Sequence, residues 1–147
     1  MNLQEQLNRI QEMMGIPNDN QSLVDDIKKH LIMDRIVDED EFNELYNGDW
    51  DEAWKDVVDN QENGECQSIV ADIIRNFPQV TKVFGEIEID EPYYDEYDEE
   101  QTLVTHHWIE IDGEKYDFSK GTLKDYIDWD EIYDVKPNND EWRYKEL

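Results

Sequence analysis

At 147 residues the chain is long enough for one domain with a proper core, and five Trp, eight Tyr and four Phe supply buried area despite a polar average. Forty acidic against 13 basic residues give a net charge of −27, a field that repels nucleic-acid backbones and anionic membrane surfaces. A single cysteine excludes an internal disulfide framework, and no run approaches the ~20 apolar residues of a membrane span.

The N-terminus carries acid early and no long apolar run, so no signal peptide is expected and a reducing cytoplasm is the expected location. Leu3, Leu7, Ile10 and Met14 recur at helical spacing and predict an amphipathic N-terminal helix, segment 1–16, closed by Gly15 and Pro17. So narrow a stripe must dock, on its own domain or on a protein partner. This opening resembles N-terminal segments of many tailed-phage proteins.

Segment 17–61 reads as a helical subdomain. Ser22 with Asp25 suits a capping box, ahead of a face made by Leu23, Val24, Ile27, Leu31 and Ile32. "DEDEFNEL" predicts a further helix carrying Phe42 and Leu45. After the break at "NGD", Trp50, Ala53, Trp54, Val57 and Val58 predict another. No acidic stretch carries alternating oxygen ligands, glycine and terminal glutamate in calcium-loop register.

The texture changes in segment 62–147. Cys66 opens a helix with Ile69, Val70, Ile73, Ile74 and Phe77 at intervals of three and four, stopped by Pro78. "VTKVFGEIEID" reads as a strand, "EPYYDEYDEEQ" as an acidic loop rich in tyrosine, and "LVTHHWIEI" as a second strand. Asp112-Gly113 signals a type I′ hairpin into "EKYDFS", and "EIYDV" is a candidate fourth strand. Helices followed by an antiparallel sheet predict an α+β fold, one compact domain overall.

Three residues converge on one chemistry. Cys66 stands at a helix start, where unpaired N–H groups and the helix dipole favour thiolate. With a two-residue loop, Ile111 faces Glu114 and Trp108 faces Asp117. His106 then shares a face with Trp108 and Glu110, diagonal to Asp117. His107 goes to the opposite face with Ile109, Ile111, Tyr116 and Phe118. A three-residue loop would exchange the two histidines. A thiolate needs a base, and the base needs an acceptor that fixes its tautomer. Three histidines and one cysteine show no zinc-like helical spacing, so neither metal nor cofactor is expected.

"GEC" before an apolar helix, a strand with a central glycine, then "HHWIE…G…YDFS" resembles the transglutaminase-like, papain-related superfamily over roughly residues 62–120. The resemblance implies Cys66 as nucleophile, His106 as base and Asp117 as its orienting acid, with Phe118-Ser119 where Pro-Thr is usual. It implies a papain/transglutaminase-like core and attack on an amide or ester of a basic or neutral protein or peptide substrate. No aromatic residue adjoins the cysteine. Asn60 or Gln61 is a weak candidate for an oxyanion donor, and the Cys66 backbone N–H a better one.

A different class competes. Residues 86–100 hold nine acids, and no Lys or Arg falls between Lys82 and Lys115. Such an array could mimic a phosphate backbone and occupy a nuclease or another basic partner, without itself binding nucleic acid or membrane.

Overall fold

The computed structural model describes residues 19–36 and 38–147; the expected helix over 3–14 lies outside them. The chain divides into two compact units, residues 1–45 and 46–147. The helix at Trp50–Asp59, grouped above with the helical subdomain, therefore belongs with the sheet.

In the first unit, α1 spans Asp19–Met33 and buries Val24, Ile27, Leu31 and Ile32. Ser22 lies inside this helix and does not cap it. The local bond there is between side chains, Gln21 Nε2 donating to Asp25 Oδ1 at 2.9 Å one helical turn on. Helix α2, Glu39–Tyr46, buries Phe42 but leaves Leu45 exposed.

The second unit begins where Asn47 and Gly48 take positive φ, a conformation that suits exactly these residue types. Asp49 then caps α3, Trp50–Asp59, accepting from the Glu52 N–H. Its Trp54 meets Phe118 edge to face and donates through Nε1 to the Tyr133 carbonyl at 2.9 Å. These contacts tie α3 to the segment of residues 118–133. Helix α4, Cys66–Asn76, buries Cys66, Val70 and Ile73 and packs against the sheet.

Four strands form an antiparallel sheet in the order β3-β2-β1-β4: β1 Thr81–Tyr94, β2 Glu100–Ile111, β3 Glu114–Tyr116 and β4 Tyr144–Glu146. The fold is α+β. Asp112 and Gly113 both have positive φ, and Ile111 pairs with Glu114, the register of a two-residue type I′ hairpin.

Two further expectations are corrected. The acidic stretch 91–101 is mostly strand, with a bulge between Glu88 and Tyr93 and a turn confined to residues 95–99. Asp95 makes that turn short: its Oδ1 accepts from the Tyr97 and Glu99 N–H groups. "EIYDV" is not a strand; the fourth strand comes from the C-terminal "YKE".

Alternation along β1 places Val83, Gly85, Ile87 and Ile89 on one face, beside Trp108 of β2 and Tyr144 of β4. Leu123, Ile127 and Trp129 cover that face and complete the core. Among the described residues no helix is long and apolar enough to cross a membrane.

Candidate active site

Cys66, His106 and Asp117 come together in the second unit. His106 lies on the same sheet face as Trp108 and is fully buried. Its partner in β1 is Gly85, where a Cβ would sit 2.4 Å from the Trp108 ring and 2.5 Å from the Lys145 carbonyl. Glycine therefore leaves the space in which Trp108 and β4 close over this face.

Past Tyr116 the chain leaves the ladder. The Asp117 N–H donates to the Val135 carbonyl, and its carboxylate turns under the sheet, where His106 Nε2 meets Oδ2 at 2.9 Å. The same Oδ2 accepts from the Tyr144 hydroxyl at 2.6 Å. Oδ1 accepts from the Ser119 N–H and the Ser119 hydroxyl, both at 2.9 Å. Four donors around one buried carboxylate keep it ionised. Burial alone would raise its pKa, but His106, Tyr144 and Ser119 together hold it below the ordinary value.

With Nε2 engaged by Asp117, only Nδ1 of His106 can receive a proton from the sulfur. Nδ1 is buried and closes no hydrogen bond of ordinary geometry, while the Cys66 thiol interacts with this ring. Apo sites commonly hold such contacts long or misaligned. Burial disfavours the imidazolium, yet the Asp117 charge and hydrogen bond outweigh it, with Cys66 adding, and the pKa is pushed up to about 9. Burial likewise pushes the Cys66 thiol up. His106 and the His107 backbone N–H overcome this against the opposing Asp117 charge, and the net shift is downward.

The His107 backbone has a place in this arrangement. Its carbonyl accepts from Ser119 Oγ at 3.3 Å, so it points off the edge of β2 that β3 leaves uncovered. In an antiparallel strand the N–H of the same residue points the same way, toward Cys66. The His107 ring packs at a tilt against Phe84, centroids 4.8 Å apart, with burial and the nearby Lys82 and His106 lowering its pKa. His106 is thus the histidine that reaches Asp117.

Cys66 opens onto a cleft of ≈ 460 Å³, whose lining includes Asn63, Tyr93, Thr105, His107, Leu123 and Tyr126. Among the described residues, none of those lining it is a carboxylate, in a chain where 40 of 147 residues are acidic. Tyr93 and Tyr126 meet edge to face at 6.3 Å on its wall.

Neither upstream amide faces this space as a donor: Asn60 Nδ2 bonds the Asp56 carbonyl at 2.7 Å, and Gln61 Nε2 bonds the Phe118 carbonyl at 2.8 Å. Gln61 is instead a buried strut between α3 and the Asp117 segment. Helix α4 begins without a side-chain cap, so the first-turn N–H groups, that of Cys66 included, are not engaged by one.

Sequence reasoning missed Tyr144. Phe118-Ser119 stand where the resemblance would place Pro-Thr, and the sequence assigns no role to the serine that cradles Asp117. No family model, curated protein or solved structure matches the chain.

Proposed function

We propose that the chain is a thiol hydrolase or acyltransferase of the transglutaminase/papain-like type, acting on an amide or ester of a protein or peptide substrate. One observation carries this reading: a cysteine at a helix start, beside a buried histidine whose far nitrogen is held by a buried aspartate, opens onto a cleft. The order along the chain, Cys66, His106, Asp117, is that of the superfamily the sequence resembles. A helix start and a β-hairpin packed together are compatible with its core.

The chemistry follows from the shifted groups. Cys66 passes its proton to His106 Nδ1, and the thiolate attacks the substrate carbonyl carbon. The oxyanion would be met by the Cys66 N–H at the start of α4. The C–N or C–O bond breaks as the imidazolium returns its proton to the leaving amine or alkoxide, which yields a thioester. Water, or an amine in the acyltransferase case, then attacks the thioester as His106 accepts its proton. The C–S bond breaks and the thiolate is restored. Asp117 orients His106 throughout. A reducing cytoplasm, that of the host cell if the protein is phage-encoded, keeps such a thiol free.

The test is the rate of Cys66 alkylation by iodoacetamide against pH, in wild type, His106→Ala and His107→Ala. A thiol already reactive near pH 6 is expected in wild type and His107→Ala. In His106→Ala it should revert to an ordinary titration near ~8.5. A thiol that titrates near that ordinary value in all three proteins overturns the reading.

A second reading draws on the exposed hairpin end. Tyr94 and Tyr97 are 65% and 78% exposed among the acids of residues 90–100. That surface suits a basic protein partner, such as a nuclease. Salt-sensitive binding that persists in Cys66→Ala would favour it.

A further inference from the structure

We propose that Tyr144 is a positioning residue of this site, acting through Asp117 to set the orientation and proton affinity of His106; this rests on the Cys66–His106–Asp117 reading above. Tyr144 is the first residue of β4, buried, and pairs with Ile87 across from the strand that carries His106. Its hydroxyl and His106 Nε2 share one carboxylate oxygen, at 2.6 and 2.9 Å. Two donors on one oxygen divide its electron density, so the phenol limits how strongly Asp117 holds the imidazolium. Ser119 fills the other oxygen, which leaves the carboxylate no alternative rotation.

The ring is fixed as firmly as the hydroxyl. It meets Trp108 edge to face at 5.1 Å, and Trp108 is the next residue on His106's own sheet face. Next to it, Arg143 anchors the start of β4 by bonds to Asp140 at 2.8 Å, to the Glu88 carbonyl at 3.0 Å and to Asp90. Burial and the Asp117 charge raise the Tyr144 pKa well above the ordinary value, so the phenol stays a donor throughout the working range.

Among the described residues, the charged and titratable groups around His106 are few. Cys66 faces it from α4, His107 adjoins it on β2, and Asp117 faces it from the segment after β3. Lys120 acts on Asp117 from the following turn, and Asp140 and Arg143 stand behind Tyr144. Of these, Tyr144 alone can be altered by one oxygen atom while its ring stays in place.

The experiment is Cys66 alkylation by iodoacetate against pH, in wild type, Tyr144→Phe, Tyr144→3-fluorotyrosine and His106→Ala. The thiolate sulfur displaces iodide from the methylene carbon, and the anionic reagent is drawn to the imidazolium. The rate should therefore rise as Cys66 ionises and fall as His106 loses its proton. Removing the phenol leaves Asp117 a stronger acceptor, so in Tyr144→Phe the falling limb should move up by roughly 0.5 to 1 pH unit. The fluorinated ring is a stronger donor, and its falling limb should move down. Both falling limbs unmoved would overturn the proposal. Should Tyr144→Phe not fold, the direction of the fluorotyrosine shift decides alone. A wild-type profile without a falling limb, or one that His106→Ala leaves unchanged, is a separate signature: it removes the triad reading itself, and this proposal with it.

Discussion

Asp117 and His106 form a buried pair whose worth depends on pH in a direction the shifts fix. Asp117 titrates below its ordinary value, so its contribution is present above the unfolded carboxylate range near ~4 and lost as pH falls through the folded value. His106 is raised from 6.5 to about 9, so its contribution is complete below 6.5 and is lost as pH rises toward 9. The pair therefore stabilises most between about pH 4 and 6.5, and should lose roughly 3 kcal/mol across the His106 window. Urea unfolding of Cys66→Ala, in which no thiol titrates, should show that decline less the share that Cys66 adds to the His106 shift. Adding Asp117→Asn should flatten it and cost about 3–5 kcal/mol at pH 6, because a buried partner is left unpaired. A slope that survives Asp117→Asn would assign the effect to other groups. The separation of His106 from His107 was legible because Asp112-Gly113 fixes the hairpin register, and register fixes which side chains share a face. Tyr144 was not legible: 27 residues separate it from Asp117, and no periodicity links the two.

At the level of elements, β4 is held where it is by what β1 lacks. Gly85 gives the Trp108 ring and the Lys145 carbonyl the space they occupy, and Arg143 pins the segment just before β4. Gly85→Ala should force Trp108 and β4 apart at a cost of about 1–3 kcal/mol, and should draw the Tyr144 hydroxyl away from Asp117. Chemical unfolding combined with Cys66 alkylation checks both effects; an unchanged midpoint and pH profile would show that β4 accommodates the methyl group. Local pattern could not separate "EIYDV" from "YKE" as the fourth strand, since both alternate plausibly. The difference lies in where the carbonyls go. The Val135 carbonyl accepts from the Asp117 N–H, and the Glu131 and Lys136 carbonyls accept from Lys120 Nζ at 3.0 and 2.6 Å. That segment is committed to holding the turn after Asp117 and has no ladder to offer. Helices α3 and α4 were legible because their apolar spacing coincides with clear start and stop residues.

Across the whole molecule, the charge of −27 acts against compactness. Apart from the buried His106–Asp117 pair, the bridges seen among the described residues of the sheet unit are Arg143 with Asp90 and Asp140, and Lys115 with Glu141 at 3.8 Å. Salt shortens the range of the repulsion from ~30 Å at 0.01 M to under ~10 Å above 0.1 M. It also weakens exposed bridges, but these contribute little each. The repulsion should win, and the unfolding midpoint at pH 7 should rise by roughly 3–6 °C between 10 mM and 300 mM NaCl. All five Trp lie at position 50 or beyond, so intrinsic fluorescence follows the unit that carries the site. Buried charges are screened far less than exposed ones. The rise should therefore be the same in Asp117→Asn, whose buried pair is gone while the surface is unchanged. A midpoint that falls with salt would mean that surface pairing outweighs repulsion. A rise that disappears in Asp117→Asn would mean that the acidic surface and the site are coupled, and that the field of the surface helps to set the proton affinity of His106.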